Sequence, residues 1–197
     1  SLLGKPRLES VALLAAIAGR TRTVRLGPAC MASFVLRDPV LLAYQWASLD
    51  QIAHGRTVLI ACTGIIEQAG GKVEARVYGV ENRDRVRRLI EWIEILKLLW
   101  TQEGASYQGE QYAFENISVE PRPYAQPRPP IWIANNAKGD RDLIRRTHKR
   151  VVDHADGWQT SLSDLEDLRW RLADIRGQAE EAGRDPATIE TNLYHNI

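Results

Sequence analysis

The sequence predicts an α/β fold built on a parallel sheet. Three observations carry this. Helix-patterned and strand-patterned segments alternate along the chain, "TVLIAC" (57–62) is a continuous apolar run, and no short hairpin turn joins two extended runs. Unbroken apolarity suits a strand covered on both faces. Alternation of this kind gives parallel strands joined by right-handed crossovers. Such sheets bind ligands at the C-terminal ends of their strands.

The elements follow in order. Leu8, Val11, Leu14, Ala15 and Ala18 recur at helical spacing, so a helix runs over about 8–20. "TVRLGPACM" (23–31) reads as a short strand. Asp38 and Pro39 supply an N-cap and a first-turn proline. Leu42, Trp46, Leu49 and Ala53 mark one face of the helix that follows, and Gly55 stops it. "TVLIAC" is the second strand and "TGIIEQAGGKVEARVYGVEN" (63–82) a polar excursion. Val86, Leu89, Ile90, Ile93, Leu96 and Trp100 form the apolar stripe of the next helix, with Arg87, Arg88, Glu91, Glu94 and Lys97 facing elsewhere. A long proline-rich connection (105–130) leads to a third strand, "IWIAN" (131–135). A Lys- and Arg-rich polar stretch leads to a fourth, "VVDHADGW" (151–158). Ser163 to Glu166 form a capping box for a helix lined by Leu165, Leu168, Leu172, Ile175 and Ala179 and closed by Gly183. "TIETNLYHNI" (188–197) is the fifth strand.

Composition narrows the function. The 197 residues, 44% of them hydrophobic, suffice for one core and one domain. Lys plus Arg total 26 against 25 Asp plus Glu, a net charge of +1. That balance gives no reason to expect nucleic acid or an anionic membrane as partner. No apolar run approaches the roughly 20 residues that span a bilayer, and "SLLGKPRLES" has no signal-peptide core. Cys30 and Cys62 each sit in an apolar run, so a disulfide is not expected and a reducing cytoplasm is. Neither CxxC nor HExxH occurs, so no structural metal is expected.

Seven stretches, in order, resemble the luciferase-like flavin monooxygenase family: "RTRTVRLGPA", "RDPVLLAYQWASLDQIAHGR", "RRLIEWIEILKLLW", "YQGEQYAF", "PRPYAQPRPPIWIAN", "HADGW" and "EEAGRDPATIE". The resemblance covers nearly the whole chain and implies a (β/α)₈ TIM barrel. A closed barrel needs about 250 residues. The five strands here match family strands three to seven, so the expectation is a single luciferase-like barrel domain, 1–197, incomplete at both ends. In the family the catalytic histidine lies on the early strands, so the resemblance assigns that role to no residue here.

The resemblance also assigns a cofactor pocket. The strand ending in Cys62, Thr63 and Gly64 lines the flavin ring, where small residues let the ring approach the backbone. A thiol there tunes the pocket and is not a nucleophile, and a small buried strand residue is the plainer reading. At "GPACM" family members often carry a non-prolyl cis peptide behind the ring, here Ala29–Cys30; an ordinary strand end with a bulge at Pro28 is the alternative. The flavin phosphate matches the turn at Asn136, Ala137, Lys138 and Gly139, with Arg87 or a neighbour assisting. Backbone N–H groups at a helix start and a cation suit a dianion. Relatives often have Ser or Thr where this chain has Ala137 and Gly139. Arg87 and Arg88 read equally well as a solvated helix face. Trp158, in the family signature "ADGW", walls the pocket or packs at the barrel rim. Tyr194 and His195 end the last strand. His54 reads as a helix-end residue, and His148 and His154 as surface residues.

The implied activity is oxidation of a small organic substrate by reduced FMN and oxygen, with a separate flavin reductase as partner. The protein's task is then to exclude water and position the substrate. A 5-deazaflavin coenzyme with hydride transfer is the alternative, and a shortened, non-catalytic flavin-binding protein is a third. Homodimers are common in the family; Leu42 and Trp46 are interface candidates as well as core candidates.

Overall fold

Four of the helices begin where a side chain supplies an acceptor for their first N–H groups. The computed structural model describes residues 8–64 and 69–194 and divides into two units, Ser1–Pro129 and Pro130–Ile197. In the first, Glu9 caps α1 (Ser10–Arg20) by accepting the Ala12 N–H at 2.9 Å. Asp38 caps α2 (Pro39–Ala53) by accepting the Leu41 N–H at 2.8 Å. α2 ends as expected, with His54 and Gly55 in the left-handed region at φ 51° and 77°. Leu42 and Trp46 are fully buried, so both belong to the core of this unit and not to a protein interface. The exposed apolar side chains of α2 are Leu41, Tyr44 and Ile52.

The segment 23–31 is not a strand. Only Leu26 and Met31 make bridges, parallel ones to Thr57 and Ala61. Pro28 between them has no N–H to offer a ladder. The Ala29–Cys30 bond is trans; the cis bonds among the described residues precede Pro121 and Pro127. A non-prolyl cis bond costs about 3–4 kcal/mol, and the Met31 N–H already reaches the Ile60 carbonyl oxygen at 2.8 Å with the trans bond. β1 (Leu59–Ala61) follows. The polar excursion contains a helix, α3 (Ala69–Tyr78), whose Val73 and Val77 are exposed, so no buried stripe announces it.

α4 (Arg85–Thr101) is the central helix of this unit. Its indoles tie it down: Trp92 Nε1 donates to the Arg37 carbonyl at 2.7 Å and Trp100 Nε1 to the Ala43 carbonyl at 3.0 Å. Glu91, expected on the solvent side, is buried. Its carboxylate accepts the backbone N–H groups of Glu110 and Gln111 at 3.1 and 3.0 Å. Those residues form the loop of a hairpin the sequence reading excluded: β2 (Ala105–Gln108) pairs antiparallel with β3 (Ala113–Ile117). The loop "GEQY" lacks the Asn-Gly or Asp-Gly signal of a two-residue turn; the Gly109 N–H closes it onto the Tyr112 carbonyl at 2.9 Å. The proline-rich connection is anchored by buried Asp50, which accepts the Ala125 N–H at 2.8 Å and the Thr57 hydroxyl.

The second unit repeats strand and helix. β4 (Ile131–Ala134), β5 (Gly157–Thr160) and β6 (Glu190–Leu193) run parallel, with α5 (Arg141–His154) and α6 (Leu165–Glu181) between them. The polar stretch after β4 is thus helical. Residues 151–154, expected in the fourth strand, are the last turn of α5. The cap of α6 is Asp164, which accepts the Asp167 N–H at 2.8 Å, and not Ser163. The chain is therefore α/β with a parallel sheet.

Candidate functional site

In the first unit the candidate residues gather at the tip of β1. Cys62 is 8% exposed, and Thr63 and Gly64 are half-buried. Gly64 has φ +77°, and a Cβ on it would lie 2.9 Å from the Ala32 carbonyl oxygen and 3.0 Å from Arg85 Nη1. A side chain there would strain the backbone and fill the space before a guanidinium, so glycine keeps the cradle open. Cys30 reaches the same place from the segment before Met31, while Ala29 is exposed beside it. The two sulfurs are 3.1 Å apart, both are free thiols, and Cys30 is the exposed one. The Cys62 thiol donates to Cys30, which holds the Cys30 pKa below the ordinary thiol range. That same bond, and then burial, push the Cys62 thiol well up.

Arg85 completes the group. It opens α4 and is 1% exposed. Nη1 donates to the Thr63 carbonyl at 2.8 Å. Nε and Nη2 are buried without a hydrogen-bond partner among the described residues. Burial lowers its pKa, with Glu74 and Cys62 opposing. An arginine keeps its charge even so, and a buried cation with spare N–H groups is costly unless something accepts them. Arg87 is placed otherwise: its side chain is 61% exposed and paired with Glu110. At about 100° per residue, positions 85 and 87 look in nearly opposite directions. The signal for Arg85 was present in the sequence. It stands four residues before Leu89 and seven before Trp92, on the buried stripe itself.

The turn after β4 in the second unit is in part already committed. Asn136 is committed within the unit: Oδ1 accepts from the Thr160 hydroxyl at 2.7 Å and the Ser161 N–H at 2.9 Å, and Nδ2 donates to Ser161 Oγ at 2.8 Å. The Ala137 carbonyl accepts from Arg171 Nη2 at 2.9 Å. Lys138 and Gly139 are exposed, with Gly139 at φ +119°. The start of α5 is already occupied, since Asp140 accepts the Leu143 N–H at 2.7 Å and Asp142 sits in the first turn. A cleft of about 400 Å³ beside Gly139 and Arg141 is lined by Asp164, Glu166 and Asp167. Carboxylates at a helix start satisfy the charge an incoming phosphate would use. Lys138 and the backbone N–H of Gly139 are what this turn offers.

The residues of "DGW" each have a local structural role. The Asp156 carboxylate accepts the Ile131 N–H at 2.8 Å. A Cβ on Gly157 would lie 2.5 Å from the Trp132 ring. Trp158 is fully buried with its ring against His148, 5.9 Å between centroids, so it packs onto α5. His148, read from sequence as a surface residue, is 0% exposed; Nδ1 lies 2.6 Å from the Asp174 carboxylate of α6. Its partner is 26 positions away in the chain, and no local pattern announces it. Tyr194 is exposed after β6, and His195 lies outside the described residues. No helix among the described residues is long and apolar enough to cross a membrane.

Comparison with known proteins places this geometry. Residues 3–196 match the family model described as luciferase-like monooxygenase. An FMNH(2)-dependent dimethylsulfone monooxygenase from Pseudomonas putida is 30% identical over 149 residues, 74% of this chain and 38% of the relative. An F420-dependent hydroxymycolic acid dehydrogenase from Mycobacterium tuberculosis is 29% identical over 176 residues, 89% of this chain and 45% of the relative. The chain spans less than half the length of these two curated relatives. Among solved structures, monooxygenase RslO1 from Streptomyces bottropensis superposes with a TM-score of 0.78 at 24% identity, covering 93% of this chain and 53% of that one.

Proposed function

Because the chain belongs to the luciferase-like monooxygenase family, we propose that it serves a flavin-dependent oxidoreductase that monooxygenates a small organic substrate with reduced FMN and oxygen. A separate flavin reductase supplies the reduced cofactor in this reading. The FMNH(2)-dependent relatives support it. The observation that carries it is the cradle at the tip of β1: a glycine that leaves space open before a buried guanidinium with two nitrogens unpartnered among the described residues. These residues fit a flat cofactor bearing electronegative groups. Ala29, Cys30, Cys62, Thr63 and Gly64 would lie against its ring, and Arg85 would donate to an anionic or carbonyl group. When bound, the flavin supplies the reducing electrons. The chain's own part is to hold it and keep water away: Met31 and Cys62 are buried apolar neighbours, and the Thr63 carbonyl orients Arg85. Taken by itself, the turn at Asn136, Ala137, Lys138 and Gly139 in the second unit is proposed to hold an anionic group through the Lys138 cation and its backbone N–H groups. Arg87 and Trp158 leave the cofactor proposal.

A second reading, hydride transfer with a 5-deazaflavin coenzyme, is favoured by the F420-dependent dehydrogenase that matches 89% of this chain. We also propose a homodimer, formed through the exposed Leu41, Tyr44 and Ile52 of α2. Quenching of tryptophan fluorescence by oxidised FMN, anaerobically reduced FMN and the deazaflavin coenzyme in turn tests the readings. Preferential binding of reduced FMN is the expected result. Preference for the deazaflavin would move the chemistry to hydride transfer, and binding of none of the three would overturn both.

A further inference from the structure

Two thiols in contact at a candidate pocket are more than small wall residues. We propose that Cys30 and Cys62 form a redox-active dithiol, a modification site that hydrogen peroxide converts into an intramolecular disulfide. The sulfurs stand 3.1 Å apart, and a disulfide needs about 2.05 Å. The remaining approach of about 1 Å is within the reach of side-chain rotation. The backbones that carry the thiols are already tied, by the Met31–Ala61 bridge and by the Met31 N–H on the Ile60 carbonyl at 2.8 Å. These 197 residues hold two cysteines, so within them one intramolecular pairing is open.

The two thiols are unlike in a way that assigns their roles. Cys30 is exposed and accepts the hydrogen bond; Cys62 is buried and donates it. An exposed thiol whose thiolate is stabilised is the one peroxide reaches, and the buried neighbour resolves. In the first step the Cys30 thiolate attacks one peroxide oxygen. The S–O bond forms, the O–O bond breaks, and hydroxide leaves and takes a proton to become water. In the second step the Cys62 sulfur attacks the Cys30 sulfenic acid. The S–S bond forms, the S–O bond breaks, and a second water carries away the Cys62 proton. Two thiols and one hydrogen peroxide give one disulfide and two waters. The oxidant's local source rests on the proposed function, since reduced flavin that meets oxygen without substrate releases hydrogen peroxide. The dithiol chemistry does not depend on it.

The test uses the flavin-free protein, so failure of flavin binding and failure of this proposal are separable. The chain is reduced, freed of reductant, treated with hydrogen peroxide and then alkylated, and its intact mass and peptide map are read. The expected result is loss of two hydrogens, no alkyl group taken up, a linked pair of peptides carrying Cys30 and Cys62 from one chain, and full reversal by dithiothreitol. In Cys62→Ser, Cys30 should stop at a sulfenic acid that dimedone traps; in Cys30→Ser, buried Cys62 should react about tenfold more slowly or less. The proposal is overturned if both thiols stay alkylatable, if oxygen is added without loss of the two hydrogens, or if the link joins two chains. The wild-type peptide map decides the matter even where a variant does not fold.

Discussion

Replacing Arg85 by methionine separates a binding group from a structural strut. Among the described residues the side chain makes one hydrogen bond, to the Thr63 carbonyl at 2.8 Å, and leaves Nε and Nη2 buried and unpartnered. Methionine fills similar volume without charge. The folded protein loses one charge-assisted bond, about 1.5–3 kcal/mol. It is relieved of burying a cation, which costs several kcal/mol. Thr63 is half-buried, so water can take over its carbonyl. The balance predicts an unfolding free energy unchanged or raised by up to about 2 kcal/mol. Tm should then hold, or rise by roughly 2–4 °C per kcal/mol for a chain of this size. Cofactor binding should move the other way. Loss of a charge-assisted bond of about 1.5–3 kcal/mol weakens affinity roughly 10- to 150-fold. Thermal unfolding and the fluorescence titration read the two quantities on one preparation. A variant destabilised by more than about 3 kcal/mol that binds flavin as tightly as wild type would refute the reasoning, because Arg85 would then be a buried strut and nothing more.

Two further outcomes follow from the second unit. His148 has its pKa lowered, by burial first and against the opposing pull of Asp174. In the unfolded chain it titrates near 6.5, so as pH falls below that value the unfolded state takes up the proton first. The stability it contributes is complete above about pH 6.5 and is lost as pH falls toward the lowered folded pKa. The urea midpoint should hold from pH 8 to 7 and decline toward pH 5, and His148→Gln should remove the decline between pH 6.5 and 5; a slope unchanged in the variant would assign it elsewhere. Gly157→Ala would set a Cβ 2.5 Å from the Trp132 ring and 2.8 Å from the Glu190 carbonyl oxygen. Overpacking of this kind typically costs about 1–3 kcal/mol, readable by urea unfolding, and an unchanged midpoint would show that the ring moves aside freely.

The legible parts of the fold share a physical trait: their signals are local. Asp38 and Pro39 mark the start of α2, and His54 with Gly55 its end, because capping acts within one turn. The apolar stripe of α4 and the closure of α6 near Gly183 follow from helical period and left-handed backbone. Where two local signals compete, the reading slips. The two valines of "VVDHADGW" suit a strand, yet they complete α5, since the buried face they extend, Ile144, Thr147 and His148, began two turns earlier. The hairpin at 105–117 was hidden because what holds its loop is not in the loop. Glu91, nineteen positions before Glu110, supplies the acceptor.

By itself, then, the sequence determined the α/β class, the strands at 59–61, 131–134 and 190–193, and the family that carries them. It also put Cys62, Thr63 and Gly64 at a strand's C-terminal end, where that class of sheet keeps its ligands. The tertiary structure alone decided that Cys30 and Cys62 touch, that His148 is buried against Asp174, and that the "DGW" signature serves packing. The division has a physical reason. Propensity, capping and period act over a few residues and can be read along the chain. A buried charge or a thiol pair is defined by what lies across the fold, 22 to 32 positions away in these cases, and exists only once the elements have packed.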